Sequence, residues 1–316
     1  MDNVLTLIAL FFFPGGLFLL ALGMVYEWID RKLVARLQNR VGPRWFQPLA
    51  DTLKLLAKEE IVPEGVNRYL FVGLPVVAVA GALTAALYVP LLGLAPVYSF
   101  PGDLIVTIYL LSLVTLCLGL AGSNTTGRFS LVGATRTLTQ LFSYEAPFLL
   151  ALLGPAIVAG SWQISEINAY ASQNWVVLSA QIIGFVVAII GLMGKLELPP
   201  FDAPEAETEI VAGALTEYSG RGLALFHLAK DAELVVGLTL IAAFFLNGLA
   251  NPQYGLLVNV SLFFVKTLAL LLVVAGIHTL FTRLRIDQTV GLWWRYGALV
   301  ALLPLLLMVV LKGVLV

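Results

Sequence analysis

Eight long apolar runs divide this chain of 316 residues, near 4–26, 69–95, 103–122, 138–160, 174–194, 231–250, 255–281 and 292–315. About 20 mostly apolar residues make a helix long enough to cross a bilayer. The runs are continuous rather than alternating, which excludes the roughly ten-residue strands of a membrane β-barrel. The expected fold is all-α: a polytopic membrane helix bundle of about eight transmembrane helices, forming one domain over 1–316. The first 25 residues carry no basic leader and no small-residue cleavage site, so they read as the first span and not as a secretory signal. Ala78, Ala82 and Ala86 form a small-residue stripe in the second span, a pattern that lets helices approach closely. No internal repeat is visible, which argues against a transporter built from paired halves.

Polar positions fall between the runs, and unevenly. The first, third, fifth and seventh connections hold sixteen of the eighteen Lys and Arg, counting Arg295 at the edge of the last run, and the other connections hold none. Short cytoplasmic loops retain positive charge, so these connections are expected inside and both termini outside. Two of them, 27–68 and 195–230, are too long for turns. In the first, Phe46, Leu49, Leu53 and Leu56 recur at helical spacing and predict an amphipathic helix on the surface. It is either an anchor for the first two spans or a docking surface for a soluble partner, with Arg31, Lys32, Arg36, Arg40, Arg44, Asp51 and Lys54 as the docking residues.

The second connection carries the chemistry. Glu197, Asp202, Glu205, Glu207, Glu209 and Glu217 crowd into a stretch broken by Pro199, Pro200 and Pro204. A new helix starting at Pro204 would set Glu205 and Glu209 on one face, with Glu207 nearly opposite. Carboxylates this close raise one another's proton affinity and titrate as a coupled set. They are solvated helix-start charges, favoured by the dipole, or members of a proton path. Glu145 inside the fourth run, before Pro147, favours the path, because an unpaired carboxylate at that depth is costly. Asp231 and Glu233 stand with Lys230 at the start of the sixth span and join the set. Lys266, inside the seventh run, either pairs with an acid or reaches toward the interface. Asp103 and Glu166 read as interfacial groups on the outer side.

Composition agrees and narrows the classes. Hydrophobic residues make up 60% of the chain and charged ones 12%, against about 25% charged in soluble proteins. The single Cys117, within an apolar run, reads as packing. One cysteine and two histidines 51 residues apart cannot build an iron–sulfur, haem or zinc site from this chain alone. No phosphate-binding loop or dinucleotide fingerprint is present, and nothing suggests nucleic acid. Redox chemistry or ATP hydrolysis would need another subunit.

Several motifs resemble those of the family of the H subunit of NADH–quinone oxidoreductase, in the same order and over nearly the whole chain. They are Asp30-Arg31-Lys32; Gln38-Asn39-Arg40-Val41-Gly42-Pro43; Gln47-Pro48-Leu49-Ala50-Asp51; Ser143-Tyr144-Glu145; Pro200-Phe201-Asp202-Ala203-Pro204-Glu205-Ala206-Glu207; and Glu217-Tyr218-Ser219-Gly220. The resemblance implies a non-catalytic membrane-arm subunit of a prokaryotic plasma-membrane complex. Such a subunit docks an electron-transfer arm, with Glu145, Glu197, Asp202, Glu205, Glu207 and Glu209 lining a path that couples redox events to proton or sodium movement. Partners implied are antiporter-like and small helical membrane subunits, peripheral subunits with iron–sulfur clusters and, in hydrogenase-like relatives, a nickel–iron centre. In quinone-linked members this subunit contributes the quinone cavity. Leu198-Pro199 replaces a basic residue common before Pro-Phe-Asp in those members, and Lys230 replaces an acid. Met193-Gly194-Lys195 and Gly102-Asp103-Leu104-Ile105 look more like hydrogenase-type relatives. The expectation is a hydrogenase-like or sulfur-reducing assembly, with a quinone reductase second and a stand-alone ion transporter as the alternative of another class.

Overall fold

The first apolar run forms two helices, α1 (Asn3–Phe11) and α2 (Gly16–Leu37). Pro14 falls at the break, where a missing amide hydrogen costs no helical bond. Gly16 is required there, since a Cβ would lie 1.9 Å from the Phe11 carbonyl oxygen. The computed structural model describes residues 3–174, 181–251 and 253–315. Helix α2 runs eleven residues past the expected end of the span, because 27–37 contains no breaker and Glu27 pairs with Arg31 one turn on. Arg31, Lys32 and Arg36 therefore sit on this helix, and the first connection shortens to 38–67.

Helix α3 (Gln47–Ala57) is the expected amphipathic helix, started by Pro48 in its first turn. Its stripe faces outward: Pro48 alone is buried, while Leu49, Leu53 and Leu56 are exposed. Helix α4 (Arg68–Ala86) is capped by Asn67, whose Oδ1 accepts from Tyr69 N at 3.0 Å. Ala78, Ala82 and Ala86 are fully buried, and α4 packs on α5 (Asp103–Ser123), where a Cβ at Gly81 would come within 3.2 Å of the Leu110 carbonyl. Helix α6 (Arg128–Ala159) begins ten residues before the expected span and continues through Pro147 and Pro155. Its first three turns are too polar to read as membrane and nonetheless helical.

A helix that hydropathy does not announce, α7 (Ile164–Gln173), folds into the fourth connection. Helix α8 (Ile182–Lys195) is the fifth span; positions 175–180 of that run lie outside the described residues. The long acidic connection that follows is 196–219, since α9 (Gly220–Phe245) starts eleven residues before the expected sixth span. The new helix expected from Pro204 does not form. One helical turn, Glu207–Ile210, stands there, and Glu205 and Glu209 share no face. Helices α10 (Leu256–Leu280), α11 (Ile286–Leu292) and α12 (Ala298–Leu315) complete the chain, the last two joined by a wide π-turn, Trp293–Gly297.

Among the described residues there is no strand, and six segments are long and apolar enough to cross a membrane: Leu7–Leu37, Arg68–Gly93, Asp103–Ser123, Arg128–Ala159, Leu256–Leu280 and Ile286–Val310. Helices α8 and α9 bring the bundle to eight. The 26 residues of α9 reach about 39 Å at 1.5 Å per residue, but Lys230, Asp231 and Glu233 interrupt its apolar run. It is the axis of the molecule, touching α2 through α8 and α10, and from Leu228 to Phe244 every residue except Lys230 is buried. A helix apolar on all sides belongs in the centre of a bundle.

The end of the bundle opposite the basic connections is closed by backbone bonds. Asp103 is fully buried and accepts from Ile164 N at 2.7 Å, from Phe100 N at 3.4 Å and from Ser99 Oγ at 3.2 Å. It ties the start of α5 to the start of α7 and is a buried lock, not the interfacial group its sequence position suggests. Among the described residues Lys266 pairs with no acid, and it does not leave the bundle: its Nζ donates to Gly248 O at 2.6 Å, just beyond the C-terminal end of α9.

Candidate functional site

Helix α6 carries the platform for the acidic connection. Ser130, Thr137, Gln140 and Tyr144 lie on one buried stripe at helical spacing. Gln140 Nε2 donates to Gly194 O at 3.0 Å and Phe201 O at 2.7 Å, clamping the chain on both sides of the turn that follows α8. Leu284 N bonds Pro200 O at 2.9 Å from the other side. Between these clamps Glu197 adopts a left-handed backbone, φ 54°, a conformation that costs a non-glycine residue about 1–3 kcal/mol. That strain turns its side chain inward, where it is buried.

Glu197 points to Lys230 of α9, whose Nζ lies 2.6 Å from its Oε2 and also bonds Glu205. One ammonium thus serves two carboxylates. Asp202 is held by Arg283 at 3.0 Å, and Asp30 faces His278 at 4.0 Å. These groups, with Glu27, Arg31, Glu207, His227 and Asp231, line a cavity of about 570 Å³ at the basic end of the bundle. Twelve of its seventeen lining residues are ionisable. Glu27 of α2 and Asp231 of α9 lie side by side in its wall.

The shared ammonium separates the two carboxyls. Burial pushes Glu197 above the ordinary carboxylate range, by more than Lys230 draws it down. Glu205 is also surrounded by protein, but it opens on the cavity, and Lys230 brings it below its ordinary value. Two adjacent acids with opposite shifts divide a proton unequally, as donor–acceptor pairs do. Glu209 stands apart, outside the cavity, where a hydrogen bond from Arg136 at 2.8 Å and that cation's charge hold it low.

The polar groups continue inward. Glu233, one turn deeper on α9, is buried with no hydrogen-bond partner for its Oε1 among the described residues. Lys195 ends α8 fully buried, donating to Ser112 Oγ at 2.8 Å and Glu145 Oε2 at 3.2 Å; Ser112 also bonds Glu145. Glu197, Asp202, Glu205, Glu207 and Asp231 are thus brought together in the cavity, and Glu233 and Glu145 lie beyond it. Glu209 and Glu217 are not brought in. Glu217 lies against Gly127, where a Cβ would come within 2.5 Å of its Oε1.

Of the residues proposed for docking, Arg31 turns to the cavity and pairs with Glu27 and, at 3.6 Å, with Asp51. Asp51 also pairs with Lys54 at 3.6 Å. Lys32 closes its own loop by donating to Val41 O at 2.8 Å. Arg36, Arg40 and Arg44 are exposed.

The chain matches the family model described as NADH dehydrogenase over residues 8–309. It is 34% identical over 303 residues to the H subunit of the NADH-quinone oxidoreductase of Carboxydothermus hydrogenoformans, covering 93% of this chain and 85% of that one. The chain belongs to the NADH dehydrogenase family. A second relative within it is the H subunit of the F(420)H(2) dehydrogenase of Methanosarcina acetivorans, 32% identical over 93% of this chain and 88% of the relative. The fold is similar to a chain of the membrane-bound sulfane sulfur reductase, an archaeal respiratory membrane complex. That match has a TM-score of 0.84 and 26% identity, and covers 92% of this chain and 96% of the other.

Residues that sequence reading left outside the site now belong to it. Lys195, Lys230 and Arg283 supply its countercharges, Ser112 and Gln140 its hydrogen bonds, and His227, His278, Glu27 and Asp30 its walls. Ser112, a hydroxyl within an apolar run, carried a faint signal, and the paired lysines carried a stronger one.

Proposed function

We propose that this protein couples electron transfer in a peripheral arm to proton or sodium movement through the membrane arm of a respiratory complex. One observation carries the reading: a cavity of ionisable side chains lies at the basic end, with Glu233 buried one turn deeper than Lys230 on α9 and the Lys195–Glu145 pair within the bundle. A change of charge at the cavity mouth alters which carboxyl holds the proton, because buried charges interact through a low dielectric. The basic connections support a reading with that mouth on the cytoplasmic side of a prokaryotic plasma membrane and both termini outside. Exposed Trp45, Val41, Leu49 and Leu53, with Arg40 and Arg44, form the surface for the peripheral arm. Iron–sulfur clusters, and a nickel–iron centre where one is used, reside in partners, as do the antiporter-like and small helical subunits of the membrane arm.

The cavity favours a hydrogenase-like or sulfur-reducing assembly. A quinone brings an apolar tail, and small-molecule sites are mostly apolar, whereas twelve of the seventeen residues around this cavity are ionisable. The quinone-linked reading draws its support from the likeness to the NADH-quinone oxidoreductase of Carboxydothermus hydrogenoformans. Affinity purification from native membranes through a tag on this chain tests the proposal. Redox subunits should co-purify, and the reconstituted complex should move ions only when given an electron donor. A chain that purifies alone and moves ions in liposomes contradicts it.

A further inference from the structure

Lys195 is held on one side only. Its ammonium has three protons to donate, and two go to Ser112 Oγ and Glu145 Oε2. The rings of Tyr144 and Phe148 lie 5.4 and 5.8 Å away, within cation–π range, and wall the ammonium without consuming a donor. On the facing helix, Glu233 is buried and its Oε1 lacks a hydrogen-bond partner among the described residues. Helix register sets the two side chains at one depth. Gly237 of α9 packs on Leu192 of α8, where a Cβ would come within 2.3 Å of the leucine. The helices run antiparallel, so one turn toward the basic end leads from Leu192 to Lys195 and from Gly237 to Glu233. A spare donor and a spare acceptor therefore face each other across the α8–α9 contact.

We infer that Lys195 is a two-seat bridge, its ammonium on Glu145 in one state and on Glu233 in the other, and that each move shifts one proton between these carboxyls. The inference rests on the coupling role proposed above. In the first state the ammonium faces the Glu145 carboxylate, and Glu233 holds the proton. In the second the ammonium faces the Glu233 carboxylate, and Glu145 holds it. Total charge is the same in both, so no uncompensated charge is buried in either. The O–H bond broken at Glu233 is replaced by one at Glu145, and Lys195 keeps its three protons. Ser112, bonded to both Lys195 and Glu145, is a hydroxyl suited to relay the proton. The flexible four-carbon stem of lysine permits the swing.

A static ion pair makes a different prediction. Removing both members of a buried pair leaves no stranded charge and preserves structure, and Glu233 has no part in it. In the assembled complex, Lys195→Met/Glu145→Gln and Glu233→Gln should transfer electrons at the wild-type rate while ions moved per electron fall at least tenfold. Glu233→Gln keeps the Lys195–Glu145 pair intact, so it decides the matter even if the double variant fails to assemble. Wild-type pumping in either variant overturns the bridge. If Glu205→Gln and Asp202→Asn also pump normally, the coupling role itself fails; if they uncouple, the bridge alone is lost.

Discussion

The two ends of this bundle bury the same kinds of side chain and treat them differently. At the closed end Asp103 and Lys266 bond mainly to backbone amides and carbonyls, which have no alternative state, with the Ser99 hydroxyl as a side-chain partner of Asp103. At the basic end Glu197, Asp202, Glu205, Lys230 and Arg283 bond among themselves, and Asp30, Asp202, Glu233 and His278 each keep a buried polar atom without a hydrogen-bond partner among the described residues. Backbone partners fix a charge, whereas side-chain partners let it be redistributed. Only the second arrangement suits a path along which protons move.

The largest break in this comparison comes from Lys230→Met, which strips two carboxylates of their shared ammonium. Breaking a buried ion pair costs about 3–5 kcal/mol, and thermal unfolding of the detergent-solubilised complex should register a loss of that order. Next is Asp103→Ala, which strands amide hydrogens at the starts of two helices and costs about 1–3 kcal/mol. Ion pumping by the complex that still assembles should be unchanged. Uncoupling by Asp103→Ala would erase the distinction between the ends.

The smallest effect lies in pH. Glu197 has a raised proton affinity when folded, so between the ordinary carboxylate value and its raised one the folded state binds more protons, and stability falls as pH rises through that window. Glu205 is shifted down, so below the ordinary value the unfolded state binds more protons, and stability falls as pH drops. Their combined contribution peaks near the ordinary glutamate value of roughly 4.3. Comparing unfolding midpoints across pH, Glu197→Gln should flatten the upper limb and Glu205→Gln the lower.

Much of the fold was legible because lipid imposes a length and a composition on every span. The ends of spans were not, since a helix entering water obeys capping and local pairing rather than hydropathy. Thus α2 overshot to Leu37, α6 began at Arg128 and α9 at Gly220. The carboxyls of the site were conspicuous as a class, being costly in or near a membrane. Their partners were not, because Arg283 stands 81 residues from Asp202 and Ser112 stands 83 from Lys195. No periodicity links such positions. The helix expected from Pro204 failed because Gln140 and Lys230 hold that segment by tertiary bonds that no local propensity records.

The central claim is that the paired side chains at the basic end couple redox turnover to ion movement. It is tested most directly by ions moved per electron in the reconstituted complex carrying Glu205→Gln or Asp202→Asn. Both variants should assemble and transfer electrons at near wild-type rates, with ion movement reduced at least tenfold. A wild-type ratio in both variants would contradict the account.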